Sequence, residues 1–147
     1  MLSTLAPALS LFLFATSALA LDVFPVGNLQ DTQHQVQGTL YAFNQSTLIL
    51  DNFSFDGDGF GVFFNIALEG RTRGDYRQNR LVIGWPTPFE AVPLERRFDQ
   101  ERLFIDLPQG IRVSDIKWFS VWCEVFGISF GEVDFPKGNQ RLFANEA

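Results

Sequence analysis

A single thiol, Cys123, and a single imidazole, His34, are the side chains of this 147-residue chain with the widest chemical range. An unpaired thiol in an exported protein is a buried filler, half of an intermolecular bridge, or a reactive or metal-ligating group. The inventory around it removes most alternatives. Met1 is the only methionine, so a chain that loses its leader has no His/Met haem site. A blue-copper centre needs two imidazoles and a thiolate. A Cys/His structural zinc site needs more ligands than exist here. Covalent haem through Cys-x-x-Cys-His cannot form. A Ser-His-Asp or Cys-His system would have to use His34, and no nucleophile-elbow sequence accompanies it. Three roles survive for Cys123: a lone thiolate ligand with His34 opposite, a redox thiol, or core packing.

Other residues carry weaker chemical signals. Asp56-Gly57-Asp58-Gly59 offers two carboxylates in a flexible turn, a partial oxygen cage for calcium. It is not an EF-hand, because Phe60 and Ala67 stand where a ligand and the closing Glu belong, and Asp and Gly are also the residues a plain turn needs. Trp85 beside Pro86 reads as a loop aromatic folded onto the core, with a sugar-stacking platform as the other option. Asn44-Gln45-Ser46 and Asn52-Phe53-Ser54 are glycosylation sequons. The first sits in a turn and is the one expected to carry sugar in a eukaryotic host.

The first twenty residues have no charged side chain and an apolar centre, Leu9 to Ala15, before Ala18-Leu19-Ala20. This is a signal-peptide pattern with cleavage before Leu21. Residues 21–147 then form one domain, secreted and extracellular, with no later run long enough to span a membrane. The net charge of −6 argues against nucleic acid and anionic membranes as partners, since both need basic clusters. Arg71, Arg73, Arg77 and Arg80 are the only local basic group, and they read as a solvated loop. Phe occurs 17 times, an aromatic load that builds a core without disulfides.

The elements that must position these groups are strands. His34 to Phe43 alternates, with Val36, Gly38, Leu40 and Ala42 on one side. Asn44-Gln45-Ser46 turns into Thr47 to Phe53, making a hairpin. Further strands are expected at Val62–Leu68, Arg80–Trp85, Arg102–Leu107, Lys117–Phe126 and Ile128–Phe135, with Lys117–Phe126 the longest. Pro86, Pro88 and Pro93 mark an irregular connection. Helical periodicity is absent outside the leader. The expected fold is all-β, an antiparallel sandwich or barrel of about seven to eight short strands. Alternate residues of a strand share a face. Phe119, Val121, Cys123 and Val125 therefore form one apolar face, and Trp118, Ser120, Trp122, Glu124 and Phe126 the other. That parity buries the sulfur, and apolar burial makes a thiol inert.

Several segments in order resemble the DM-thirteen domain, an electron-transfer domain of Skeletor-type and DOMON-associated extracellular proteins. They are His34-Gln35-Val36-Gln37-Gly38-Thr39-Leu40-Tyr41, Thr47 to Gly57, Leu107-Pro108, Trp118-Phe119-Ser120-Val121-Trp122-Cys123, and Phe126-Gly127-Ile128-Ser129-Phe130-Gly131. The resemblance spans about residues 34–135. It implies a β-rich fold and a redox or haem-ligating cysteine, which falls on Cys123, with His34 and Trp122 as the accompanying cofactor residues. The chain departs from the family after Gly57. Asp58-Gly59-Phe60-Gly61-Val62 replaces a Pro-Asp-aromatic stretch that closes in Trp-Val-Gly.

Two functions are open at this level. One is a secreted redox or electron-transfer domain centred on Cys123, with haem as a candidate cofactor and an unidentified redox partner. The other is a non-catalytic extracellular binding or matrix module, with a glycan or protein ligand and Cys123 as core packing.

Overall fold

The computed structural model describes Ser3, residues 23–139 and Phe143. The leader expected at 1–20 lies, apart from Ser3, outside the described residues. Two four-stranded antiparallel sheets form a sandwich, as expected from the alternation. One sheet contains β1 (Phe24–Asn28), β2 (Gln37–Asn44), β3 (Thr47–Phe55) and β8 (Phe98–Asp106), in the order β1-β2-β3-β8. The other contains β4 (Val62–Ala67), β5 (Leu81–Ile83), β9 (Trp118–Cys123) and β10 (Ile128–Asp134), in the order β10-β9-β4-β5. Two short strands, β6 (Pro86–Thr87) and β7 (Glu90–Ala91), pair within the proline-rich connection.

The core lies between the sheets and is built from inward-facing side chains of both. Leu40, Leu48 and Leu50 from one sheet meet Val62, Phe64, Phe119 and Val121 from the other. The phenylalanines interlock: Phe53 lies against Phe64 and Phe98, and Phe64 stacks on Phe119 with ring centroids 5.6 Å apart. Such pairs add about 0.5–1.5 kcal/mol each beyond area burial. Trp85 packs edge-on against Phe64 and Phe98, so it is the folded-in loop aromatic.

Some boundaries differ from the sequence reading. His34 lies in a turn before β2, with φ of 54°. The expected strand Lys117–Phe126 is the shorter β9, because Glu124 to Gly127 turn the chain into β10. The longest strands are β3 and β8, at 9 residues each. β1 and the β6–β7 pair were not foreseen. The arginine segment is not a solvated loop: it holds a helix, α1 (Arg73–Gln78), started by Thr72 and Asp75, which cap each other's backbone N–H groups. A six-residue helix shows too little periodicity to register, though its capping box is readable.

Candidate functional site

Cys123 ends β9, between β4 and β10, opposite Val62 on one side and Ile128 on the other. Its side chain joins the core between the sheets with Phe119 and Val121, and it is 0 % exposed. The inward parity is therefore as expected for these three. Val125, assigned to the same face, is exposed because the strand has already turned.

The sulfur is not surrounded by hydrocarbon alone. Its S–H donates to the Phe60 carbonyl at 3.3 Å. Phe60 belongs to the loop 56–61, which closes this end of the sandwich. Gly57, Gly59 and Gly61 hold φ values of 84°, 136° and 65°. Side-chain-bearing residues rarely adopt these conformations. A Cβ at Gly59 would lie 2.9 Å from Val62 and 3.1 Å from the Phe130 ring, so the backbone reaches the core only because the residue is glycine. The turn after β9 is tied to the same loop, with Glu124 N–H donating to the Gly61 carbonyl at 2.8 Å.

His34 meets the other end of that loop. Its Nδ1 is 3.2 Å from Asp56 Oδ2, its backbone carbonyl accepts from Asp56 N–H, and its ring lies 4.2 Å from the buried Phe130 ring. His34, Asp58, Phe60, Glu95 and Phe126 border an open cleft of about 680 Å³. Cys123 is not among its lining residues. The structure thus brings His34 and Cys123 to one loop, with His34 facing the cleft and Cys123 beneath the Phe60 peptide.

Trp122 is separated from this pair. Neighbouring residues of a strand point to opposite faces, so Trp122 projects from the outer side of its sheet. There it joins Trp118 and Ala67 under Tyr76 of α1. Arg80 covers its ring at 4.6 Å and pairs with Glu124 at 3.1 Å. Cys123, His34 and Trp122 therefore do not form one cofactor site.

This outer face holds a group the sequence reading missed. Glu132 is wholly buried. It accepts from Trp118 Nε1–H at 2.9 Å and from the Arg77 guanidinium. Its hydrogen bond is the main reason the Arg77 guanidinium is held above its usual pKa. Arg73 adds bonds to Asp31 at 2.8 Å and Asp134 at 3.1 Å. Ser120 and Ser129 hydrogen-bond alongside at 2.9 Å. The only sequence signal for Glu132 was an acid among apolar residues. Parity did not expose it, because a bulge between Ser129 and Gly131 shifts the register of β10.

The calcium expectation gains no support. Asp56 commits one oxygen to His34 and the other to Asp58 N–H, at 2.8 Å. Among the described residues no three His, Cys, Asp or Glu side chains come together to hold a metal. Haem ligation by Cys123 needs a sulfur with a face open to the cleft. The Phe60 carbonyl occupies that position, so the residues as placed do not fit a thiolate-ligated haem. Of the sequons, Asn44 is half-buried and its side-chain oxygen accepts from the Ser46 N–H and hydroxyl. Asn52 lies within β3 rather than at its end, exposed, with φ of 53°.

The family model described as "Electron transfer DM13" matches residues 28–135. The chain belongs to the DM13 family. Its match takes in the loop, both strands beside Cys123 and the His34 turn. Two curated relatives are Protein Skeletor isoforms B/C and D/E of Drosophila melanogaster, each 32% identical over 113 residues, or 76% of this chain. The matched part is 14% of the first protein and 7% of the second. No solved structure matches the chain. Among the described residues no helix is long and apolar enough to cross a membrane.

Proposed function

We propose that this DM13 domain transfers electrons through the Cys123 sulfur, with the cleft beside His34, Phe60 and Phe126 receiving the redox partner. The observation that carries this reading is the Cys123–Phe60 hydrogen bond. It puts the chain's only thiol directly under a glycine-rich loop at the cleft. Phe60 and Phe126 are exposed there, at 76% and 62%, and give a partner apolar surface to cover.

With a single cysteine, the domain must exchange electrons with an outside group. In thiol–disulfide exchange the Cys123 thiolate attacks a partner's disulfide. One S–S bond breaks as another forms, and the released partner sulfur takes up the proton given up by Cys123. In this step the Cys123 sulfur is oxidised to the disulfide level and one of the partner's two sulfurs is reduced to a thiol, while the other stays in the mixed disulfide. Because the sulfur is buried, each exchange waits for the 56–61 loop to lift. No step runs through haem.

The test is the rate at which native protein reacts with a small aromatic disulfide. The expected result is a mixed disulfide at Cys123, formed faster than global unfolding measured by amide exchange, and absent in Cys123→Ser. Reaction only at the global unfolding rate would sink the redox reading. The second reading, a binding or matrix module in which Cys123 is core packing, is favoured by the sulfur's complete burial and would then be kept. Export is part of the same proposal: protein made in a secretory host should begin at Leu21 by mass, with sugar on a sequon, Asn44 or the more exposed Asn52.

A further inference from the structure

Half of the lysine and arginine side chains among the described residues already have an anionic partner. Arg73, Arg77, Arg80, Arg96 and Arg102 each stand within ion-pair distance of a carboxylate. Arg71, Lys117 and Lys137 form no ion pair among the described residues, and all three line one concave pocket of about 410 Å³. Among the described residues no Asp or Glu lines it. The chain has only these two lysines, and both are here. Arg97 and Arg112, also without ion pairs among the described residues, do not line it.

The pocket is more than a patch of charge. Ile116 and Phe135 are buried beneath it, and Tyr76 stands at its wall. The Lys117 ammonium donates to the Gly70 carbonyl at 3.3 Å, which holds it beside Arg71. The nearby Asp75 carboxylate accepts from the backbone N–H groups of Arg71 and Thr72 and, outside the pocket, offsets part of the Arg71 charge. Three like charges around one concavity repel one another until an anion enters. Concave walls of one sign also focus the potential. In a chain of net charge −6, this concentration runs against the overall balance.

We propose that this pocket, at the start of β9 and thus at the opposite end of that strand from Cys123, binds an oxyanion. The group is a sulfate or carboxylate, and the apolar floor suits one carried on a sugar ring. Its source is either the free anion or an acidic polysaccharide.

The experiment titrates the full chain with inorganic sulfate and, separately, with a sulfated hexasaccharide, followed by calorimetry at low salt. Two double variants with the same charge change are compared: Lys117→Gln with Lys137→Gln, and Arg97→Gln with Arg112→Gln. The expected result is saturable binding of at least one probe that weakens about tenfold or more in the lysine pair, as charge-assisted contacts are lost, and is kept in the arginine pair. Hexasaccharide binding without sulfate binding assigns the source to carbohydrate, and binding of sulfate alone assigns it to the free anion. Equal weakening in both pairs, or no saturable binding of either probe, would overturn the proposal. If the lysine pair perturbs near-ultraviolet circular dichroism, Lys137→Gln alone, beyond the end of β10, serves instead.

Discussion

The Cys123 thiol hydrogen-bonds the Phe60 carbonyl across the closed end of the sandwich, at 3.3 Å. That contact joins the last residue of β9 to a loop that otherwise has glycine at every second position from Gly57 to Gly61. Cys123→Ala removes the sulfur from a fully packed site and leaves the carbonyl without its donor. We expect a loss of about 1–3 kcal/mol by urea denaturation. Cys123→Ser can still donate to Phe60 and should keep the loop closed, so a Ser variant far less stable than the Ala variant would contradict this geometry.

Glu132 accepts hydrogen bonds from both Trp118 and Arg77. Arg77→Ala strips the buried carboxylate of its closest cation. Breaking a buried pair costs about 3–5 kcal/mol, and the partial exposure of Arg77 places the expectation at about 2–4 kcal/mol. Glu132→Gln keeps an acceptor for Trp118 and removes the charge, so it should cost less than Arg77→Ala. Adding Arg77→Ala to Glu132→Gln should then cost little more. A double-mutant cycle with no coupling would remove the pair from the account of stability.

Acid should weaken the sheet containing β3 and β8. The Asp51 carboxyl is held below its usual pKa first by its hydrogen bond from Arg102 and then by that residue's charge. The Glu101 carboxyl is lowered in the same way by Arg96. A depressed carboxyl binds fewer protons folded than unfolded, so its contribution is present above the unfolded pKa and is lost as pH falls through the folded one. Melting temperature should therefore drop as pH falls below about 4. In Asp51→Asn combined with Glu101→Gln, part of that slope should vanish. An unchanged acid slope in the double variant would remove these two residues from the explanation.

Gly84 leads into Trp85, and a Cβ there would lie 2.3 Å from the Thr87 carbonyl oxygen and 2.7 Å from that of Glu90. Both obstacles are backbone, so they cannot swing aside. Gly84→Ala should force the β6–β7 ribbon away from the sheet, cost about 2 kcal/mol or more, and shift Trp85 fluorescence to longer wavelength. A variant with native emission and stability would show that the ribbon moves freely.

Much of the frame was legible in residue pattern. Alternation in His34–Phe43, the turn at Asn44–Ser46 and the strand formers of Thr47–Phe53 identified the β2–β3 hairpin, and the inward set Phe119, Val121 and Cys123 follows from side chains alternating across a strand. Parity failed where a strand stopped or slipped. Val125 was placed inside because nothing local announces that β9 ends at Cys123. The bulge beside Gly131 hid Glu132 for the same reason.

Side-chain type and two-residue periodicity are local, so the chain alone specified an antiparallel sandwich or barrel, a buried lone thiol and membership of a β-rich family. Which charges meet is a long-range matter. Arg77 finds Glu132, and Lys117 and Lys137 converge on one pocket, only after distant strands pair. The Phe60 peptide reaches the Cys123 sulfur only once β4 lies beside β9. No spacing in a one-dimensional string encodes those approaches, because sheet order and strand crossovers set them.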